Sequence, residues 1–243
     1  MTAAGLRYAI YFAPDHRSAL WRFGSSVLGY DAVSGQDVVL AAPAGLTVAD
    51  WATLTEEPRQ YGFHATLVAP CHLREGATEA DYLEAVQAFA GTMPVAVIPQ
   101  LKVTQLGSFL ALTIDGDFEP VAALSAAAVR ALSPWRASLS SADLARRLAA
   151  NLTQRQIQNL VHYGYPYVLE DFRFHMTLTG SLPAPRRADL AGKLAESFAV
   201  QVPSGVIPVD AICAFRQDRR DGRFRIISRF PLGRLPSDAS ALQ

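Results

Sequence analysis

Two short stretches of this sequence carry residues able to do chemistry: Phe63-His64-Ala65-Thr66-Leu67 and Phe172-Arg173-Phe174-His175-Met176-Thr177-Leu178. In an extended strand, side chains alternate between faces, so residues i and i+2 share one face. His64 and Thr66 then stand together, as do Arg173, His175 and Thr177. Their neighbours Phe63, Ala65 and Leu67, and Phe172, Phe174, Met176 and Leu178, turn to an apolar face suited to a core. Each strand thus offers an imidazole and a hydroxyl in a row, and the second adds a guanidinium. Such a row suits phosphate esters. Imidazole titrates near pH ~6.5, so one histidine can accept a proton while another donates one at neutral pH. Threonine hydroxyls can bond the non-bridging phosphate oxygens, and an arginine can grip them bidentately. One His-x-Thr is more often structural. Two of them, each inside an apolar alternation and nearly half a chain apart, point to a shared phosphate pocket and to catalysis without a metal.

Other reactive residues are weaker candidates. Tyr61 precedes the first row and is read either as a rim aromatic or as a ring closing over substrate. Tyr163, Tyr165 and Tyr167 flank Gly164 and Pro166, where packing of a turn is the default and stacking on a sugar or base the rival. Cys71 beside His72 suggests a thiol nucleophile, but no oxyanion-stabilising signature accompanies it. His16 and His162 read as helix-end residues, and the arginines of 216–229 as mostly solvated around a hairpin turn, with one able to reach the cleft. A metal site built from His64, His72, His162 and His175 lacks an HxH, an HExxH or a carboxylate cluster. No metal and no cofactor are therefore expected.

The elements needed to position the two rows follow from pattern. Arg7–Ala13 reads as a strand and Ser18–Leu28 as a helix closed by Gly29. Residues 30–60 look irregular apart from a short helix at Val48–Leu54. The first His-x-Thr strand is expected over Phe63–Ala69, followed by a helix capped by Thr78 and running to about Ala90. Strands are expected near Val95–Gln105 and Ser108–Asp115, then a helix over Pro120–Leu132. Residues 140–163 read as one long helix or two short ones. The second His-x-Thr strand spans Phe172–Thr179, a helix Arg186–Phe198, and a hairpin joins Val209–Arg216 to Arg223–Phe230 through Asp221-Gly222. Residues 236–243 read as a loose tail. Strand, helix, His-x-Thr strand occurs twice, as duplication of a lobe would produce.

Composition narrows the class. Half of the 243 residues are hydrophobic and 18% are charged, enough apolar content for a real core. Lys+Arg and Asp+Glu both total 22, without the basic excess that long nucleic acid demands. Lys102 and Lys193 are the only lysines, a skew attributed to genomic composition. Two cysteines without CxxC spacing, no signal-peptide pattern and no long apolar run lead to the expectation of a cytoplasmic protein that does not bind a membrane.

FHATL and FHMTL resemble the paired His-x-Thr-hydrophobic signature of the two-histidine (2H) phosphoesterase superfamily, which includes LigT-like cyclic phosphodiesterases. RYAIYFAPD, GSFLALTID and YGYPYVLEDFRFHMTLTG extend the likeness across most of the chain, toward a bacterial branch of phosphonate-metabolism proteins. The resemblance implies a single α+β domain over 1–243, bilobal and duplicated, with two antiparallel sheets flanked by helices around a central cleft. It implies His64, Thr66, His175 and Thr177 as catalytic, beside Arg173 and Tyr61 as substrate-binding candidates from the residues themselves. The implied activity is that of a phosphodiesterase or cyclic phosphodiesterase, metal-independent, acting on a small phosphorylated sugar or nucleotide. Superfamily members open 2′,3′-cyclic phosphates, ADP-ribose cyclic phosphate or 2′–5′ linkages. The segment 140–163 departs from the smaller members as a helical insert beside the cleft. A non-catalytic module that binds a nucleotide or phosphate ligand is the alternative.

Overall fold

The computed structural model describes residues 5–233, so the tail expected at 236–243 lies outside the described residues. The elements are β1 (Arg7–Phe12), α1 (Ala19–Leu28), β2 (Tyr30–Asp31), β3 (Gln36–Asp37), α2 (Val48–Leu54), α3 (Glu56–Arg59), β4 (Ala65–Cys71) and α4 (Glu79–Thr92). Then come β5 (Ala96–Ile98), β6 (Leu101–Leu106), β7 (Phe109–Ile114), α5 (Glu119–Leu132), α6 (Ser141–Leu148) and α7 (Gln154–Tyr163). The remainder is β8 (Met176–Thr177), α8 (Ala184–Gln201), β9 (Ile207–Val209), β10 (Ala211–Gln217) and β11 (Phe224–Pro231). The helices start and stop on local chemistry. Ser18 accepts from the Trp21 amide and Gly29 closes α1 at φ 71°. Thr78 and Asp81 form a capping box at the start of α4, as Thr153 and Gln156 do for α7.

The architecture is α+β with antiparallel sheets and helices, as expected. Seven strands run in the order β11-β10-β1-β4-β8-β7-β6, and β2-β3 and β5-β9 form two small ribbons. Within this order, β11-β10-β1-β4 and β8-β7-β6 are two contiguous parts of one sheet. The two parts join through a single pair, Ala65↔Met176. Helices α4, α5 and α8 pack on the sheet, and α1 packs on α8.

Two strand assignments are corrected. The strand expected near Val95–Gln105 is two, because Pro99 offers no amide donor where the chain leaves one partner for another. Its first part, β5, pairs with β9 outside the large sheet. The strand expected over Phe172–Thr179 keeps ladder pairing only at Met176 and Thr177. Its start is preceded by a 3-10 turn at Leu169–Asp171, and its end bonds irregularly, the Leu178 and Thr179 amides both donating to the Leu110 carbonyl. The facial alternation survives the loss of the ladder. Phe172, Phe174, Met176 and Leu178 are buried, whereas His175 and Thr177 are partly open.

The first His-x-Thr strand is held from behind. Phe63 and Ala65 are fully buried, and the Ser125 hydroxyl of α5 donates to the Leu67 carbonyl. The Phe63 ring sits directly over Gly24 of α1, so close that a Cβ at position 24 would overlap it. Alanine at a helix position normally gains about 1 kcal/mol over glycine. Overpacking a buried ring costs about 1–3 kcal/mol, and this term should win. Gly24→Ala is therefore expected to lower the thermal midpoint by several degrees. A raised midpoint in a calorimetric scan would show that the Phe63 contact yields easily.

Candidate active site

His64 sits one residue before β4 begins, and its orientation is set by its neighbours. Its Nδ1–H donates to the Gly62 carbonyl at 2.8 Å. Gly62 has φ 74°, and a side chain there would crowd Ala32. With Nδ1 carrying the proton, Nε2 holds the lone pair, and the Thr66 hydroxyl donates to it at 3.3 Å. His64 and Thr66 thus share a face. The imidazole stacks on the Tyr11 ring, with centroids 3.8 Å apart and planes 21° from parallel. Phe215 and Tyr61 stand further out, at 6.0 and 6.1 Å. Tyr61 in turn stacks on Phe224 at 5.3 Å.

His175 repeats the arrangement. Its Nδ1–H donates to the Arg173 carbonyl two residues back, at 2.8 Å, which leaves Nε2 unengaged by that bond. Phe109 lies beside it at 5.9 Å. The pair Ala65↔Met176 sets the relation between the two rows. Counting one residue either way places Thr66 across from His175, and His64 across from Thr177. The histidines are then diagonal neighbours, a relation that spans about 7–8 Å in an antiparallel pair.

His64, Thr66, His175, Thr177 and Tyr61 all line one cleft of about 710 Å³. Arg173 is not among its lining residues. Its side chain is exposed and borders a neighbouring depression that shares His175 as a wall. The segment 140–163 forms two helices rather than one. It and its flanks bring Arg147, Ala150, Leu152, Tyr165 and Tyr167 to the cleft. Tyr167, 46% exposed, meets Tyr165 edge-on at 5.6 Å. His16 lies next to Asp15 at the surface, while His72 donates Nδ1–H to the Leu6 carbonyl.

The sequence reading passed over Tyr11 and Arg7, which also line the cleft. The signal was present, since Arg7, Ala9 and Tyr11 share one face of β1 by alternation, and Tyr11 pairs with Thr66. Among the described residues, no group of three or more His, Cys, Asp or Glu stands close enough to hold a metal ion. No helix among them is long and apolar enough to cross a membrane.

The surroundings of His64 set its charge state. Burial under the aromatic rings pushes the His64 pKa down to about 4, and the nearby His175 pushes the same way against the opposing Gly62 carbonyl. Burial also raises the Tyr11 phenol well above its usual range, so it stays neutral. Above pH ~4 His64 is therefore a neutral imidazole with its lone pair on Nε2.

Residues 66–225 match the family described as "Protein of unknown function (DUF1045)". Two curated relatives carry the name "Ribose 1,5-bisphosphate phosphokinase PhnN". One, from Janthinobacterium sp. (strain Marseille), is 36% identical over 93% of this chain. The other, from Laribacter hongkongensis (strain HLHK9), is 33% identical over 91%. The chain spans 50% of the length of each. Among solved structures, E. coli LigT complexed with NADP+ is similar over 95% of this chain and 99% of that one, at 12% identity and TM-score 0.42. TT0787 of Thermus thermophilus is similar over 94% and 100%, at 14% identity and TM-score 0.45.

The His64 environment has a direct readout. In a proton NMR titration the His64 ring resonances should stay fixed from pH 8 to about 5.5 and move only toward pH ~4. Tyr11→Ala should open the ring to water and carry the midpoint back toward ~6.5. The unfolded imidazole takes its proton near pH ~6.5 and the folded one near 4. The contribution of His64 to stability should thus be complete above ~6.5 and lost as pH falls through that window. A His64 midpoint between 6 and 7 in the wild type would refute the shielding by Tyr11.

Proposed function

The chain belongs to the DUF1045 family, and from that premise we propose that it is a metal-independent phosphodiesterase of the two-histidine type, opening a cyclic phosphate on a small ribose-derived substrate. The observation that carries this reading is the matched pair of imidazoles. Each has Nδ1 committed to a backbone carbonyl two residues back, and both line one cleft. That arrangement leaves the two Nε2 atoms for proton transfer. The sheet order adds support for one bilobal, duplicated domain: β1-α1-β4 and β7-α5-β8 each bring a strand, a helix and a His-x-Thr segment, and they meet at Ala65↔Met176.

The roles follow from the environments. His64, neutral above pH ~4, takes a proton from water at Nε2. The water oxygen bonds to phosphorus as one phosphorus–sugar oxygen bond breaks. His175 gives its Nε2 proton to the departing sugar oxygen, and the two histidines restore their protons through solvent. Thr66 and Thr177 hold the non-bridging oxygens, the Thr66 hydroxyl turning from His64 to the phosphate. Tyr61, beside the stack at the cleft wall, borders the sugar. Arg173 steers the anion from the neighbouring depression.

The relatives' name suggests the sugar class, a ribose bearing phosphates, and a role in phosphonate metabolism is what the sequence resemblance implies. The kinase part of that name is not carried over, because no G-x-x-x-x-G-K-[S/T] phosphate loop occurs in the sequence. A nucleotide-binding module without turnover is the second reading. The exposed Tyr167 ring at the cleft is the observation that suits it.

His64→Ala and His175→Ala are each expected to lower turnover of a ribose cyclic phosphate about a hundredfold or more. The double variant should be little worse than either single one, since the pair acts as a unit. Thr66→Ala and Thr177→Ala should cost less, each removing one hydrogen bond while its partner remains. A chelator should leave the wild-type rate unchanged. Near-normal turnover in either histidine variant would remove the acid or the base, and the binding-module reading would replace this one.

A further inference from the structure

Beyond the histidine cleft lies a second cavity of about 450 Å³ that shares Arg7, Ala69, Pro70, Arg147 and Tyr165 with it. Five arginines line this cavity; Arg146 and Arg220 are exposed, and the other three come from separate parts of the chain: Arg7 from β1, Arg136 from the turn after α5, and Arg147 from α6. All three are partly buried, and none has a carboxylate partner among the described residues.

Neutral acceptors hold them instead. Arg7 Nε donates to Gln217 Oε1 at 2.7 Å, and its guanidinium lies over the Phe224 ring. Arg136 donates to the carbonyls of Ala137 and His162, both at 3.0 Å, and of Val161 at 3.3 Å. Arg147 Nη1 donates to the Gly164 carbonyl at 2.8 Å. Asp143, the one carboxylate lining the cavity among the described residues, is taken by Arg146 at 2.6 Å and by Ser140 at 2.8 Å. Cys71 supplies no negative charge, because burial pushes its thiol up to about 12. Guanidinium groups half-withdrawn from water without a counter-charge are costly to maintain. Held in fixed directions by carbonyls, they form a preorganised anion receptor.

We propose that this cavity is a second phosphate subsite, and that the substrate class of the histidine cleft is a pentose carrying two phosphoryl groups: a cyclic one at the histidines and a terminal one at Arg7, Arg136 and Arg147. This rests on the phosphodiesterase reading above. Spacing along β4 supports it. Thr66 lines the first cavity, and Ala69, three residues further, lines both. At about 3.3 Å per residue these stand about 10 Å apart. A pentose with a phosphate at each end bridges a gap of that order, and a lone cyclic phosphate does not.

The experiment compares a ribose cyclic phosphate with the same compound phosphorylated on the 5-hydroxyl. The 5-phosphorylated compound should show kcat/KM higher by about tenfold or more, the value of one or two charge-assisted hydrogen bonds. Arg7→Gln and Arg147→Gln, on separate elements, should each shrink that preference toward unity, and Arg147→Lys should retain part of it. Calorimetry on the inactive His64→Ala/His175→Ala protein measures the same preference as affinity, independent of turnover. If neither compound is turned over but the double variant still binds the 5-phosphorylated one more tightly, and adding Arg147→Gln abolishes this, the phosphodiesterase reading falls and the subsite stands. Equal kcat/KM and equal affinity for the two compounds would overturn the subsite and leave the phosphodiesterase reading intact.

Discussion

The contact between Tyr11 and His64 is the constraint on which the site is built. A ring stacked at 3.8 Å removes water from one face of the imidazole, and the Gly62 carbonyl fixes which nitrogen keeps the proton. Both depend on backbone far from the chemistry. Tyr11 is placed by the pairing of β1 with β4, whose register shifts on either side of Ile10 and brings Tyr11 opposite Thr66. Gly62 presents its carbonyl because it adopts a left-handed conformation that a side chain would resist, with Ala32 close by. Phe63, between them, is pinned over Gly24. Three consecutive residues, Gly62, Phe63 and His64, thus join a left-handed turn, a core contact and a reactive group. Motion of any one of them would be felt by the others.

The join between the two parts of the sheet has a different consequence. A full ladder between β4 and β8 would carry regular hydrogen bonds through the middle of the cleft. A single pair keeps the two histidine rows in register, while the residues before Met176 remain outside the ladder. The missing bonds do not leave the segment undetermined. The buried side chains of Phe172, Phe174 and Met176 hold its facing, and the Phe12 and Phe174 rings lie 6.3 Å apart. Side-chain burial here fixes what backbone pairing fixes elsewhere.

The sequence made the faces of the two rows legible, because alternation records burial whether or not a ladder forms. For the same reason it overstated the length of the second strand. The hydrophobic pattern runs from Phe172 to Leu178, and nothing in it marks where hydrogen-bond partners diverge. Helix ends such as Gly29 and Thr78 were readable from capping chemistry. The ribbons β2-β3 and β5-β9 were not, since they depend on partners distant in the chain or on two residues each. Arg173 was read into the cleft from alternation alone. It takes the expected polar side but lies outside the paired ladder, and its side chain borders the neighbouring depression. Tyr11 and Arg7 were missed because their strand lacks a motif, and only the neighbouring strand gives them meaning.

Charge shows most clearly what composition conceals. The chain is electroneutral overall, with 22 basic and 22 acidic residues, so it has little long-range pull on an anion. The ion pairs among the described residues lie mostly at exposed positions, such as Lys102–Asp115 and Arg146–Asp143, where a pair adds little stability. Arg7, Arg136 and Arg147 stand outside those pairs and gather around one cavity on backbone and amide oxygens. Lysine would serve poorly there, since its compact ammonium is more strongly hydrated and lacks the planar fork that lets one guanidinium bond a carbonyl and an anion together. Because the whole chain is neutral, the positive charge at this cavity is balanced by acidic residues elsewhere rather than beside it. In a neutral chain, such a local imbalance selects a ligand by its fit to fixed donors rather than by general attraction to negative charge.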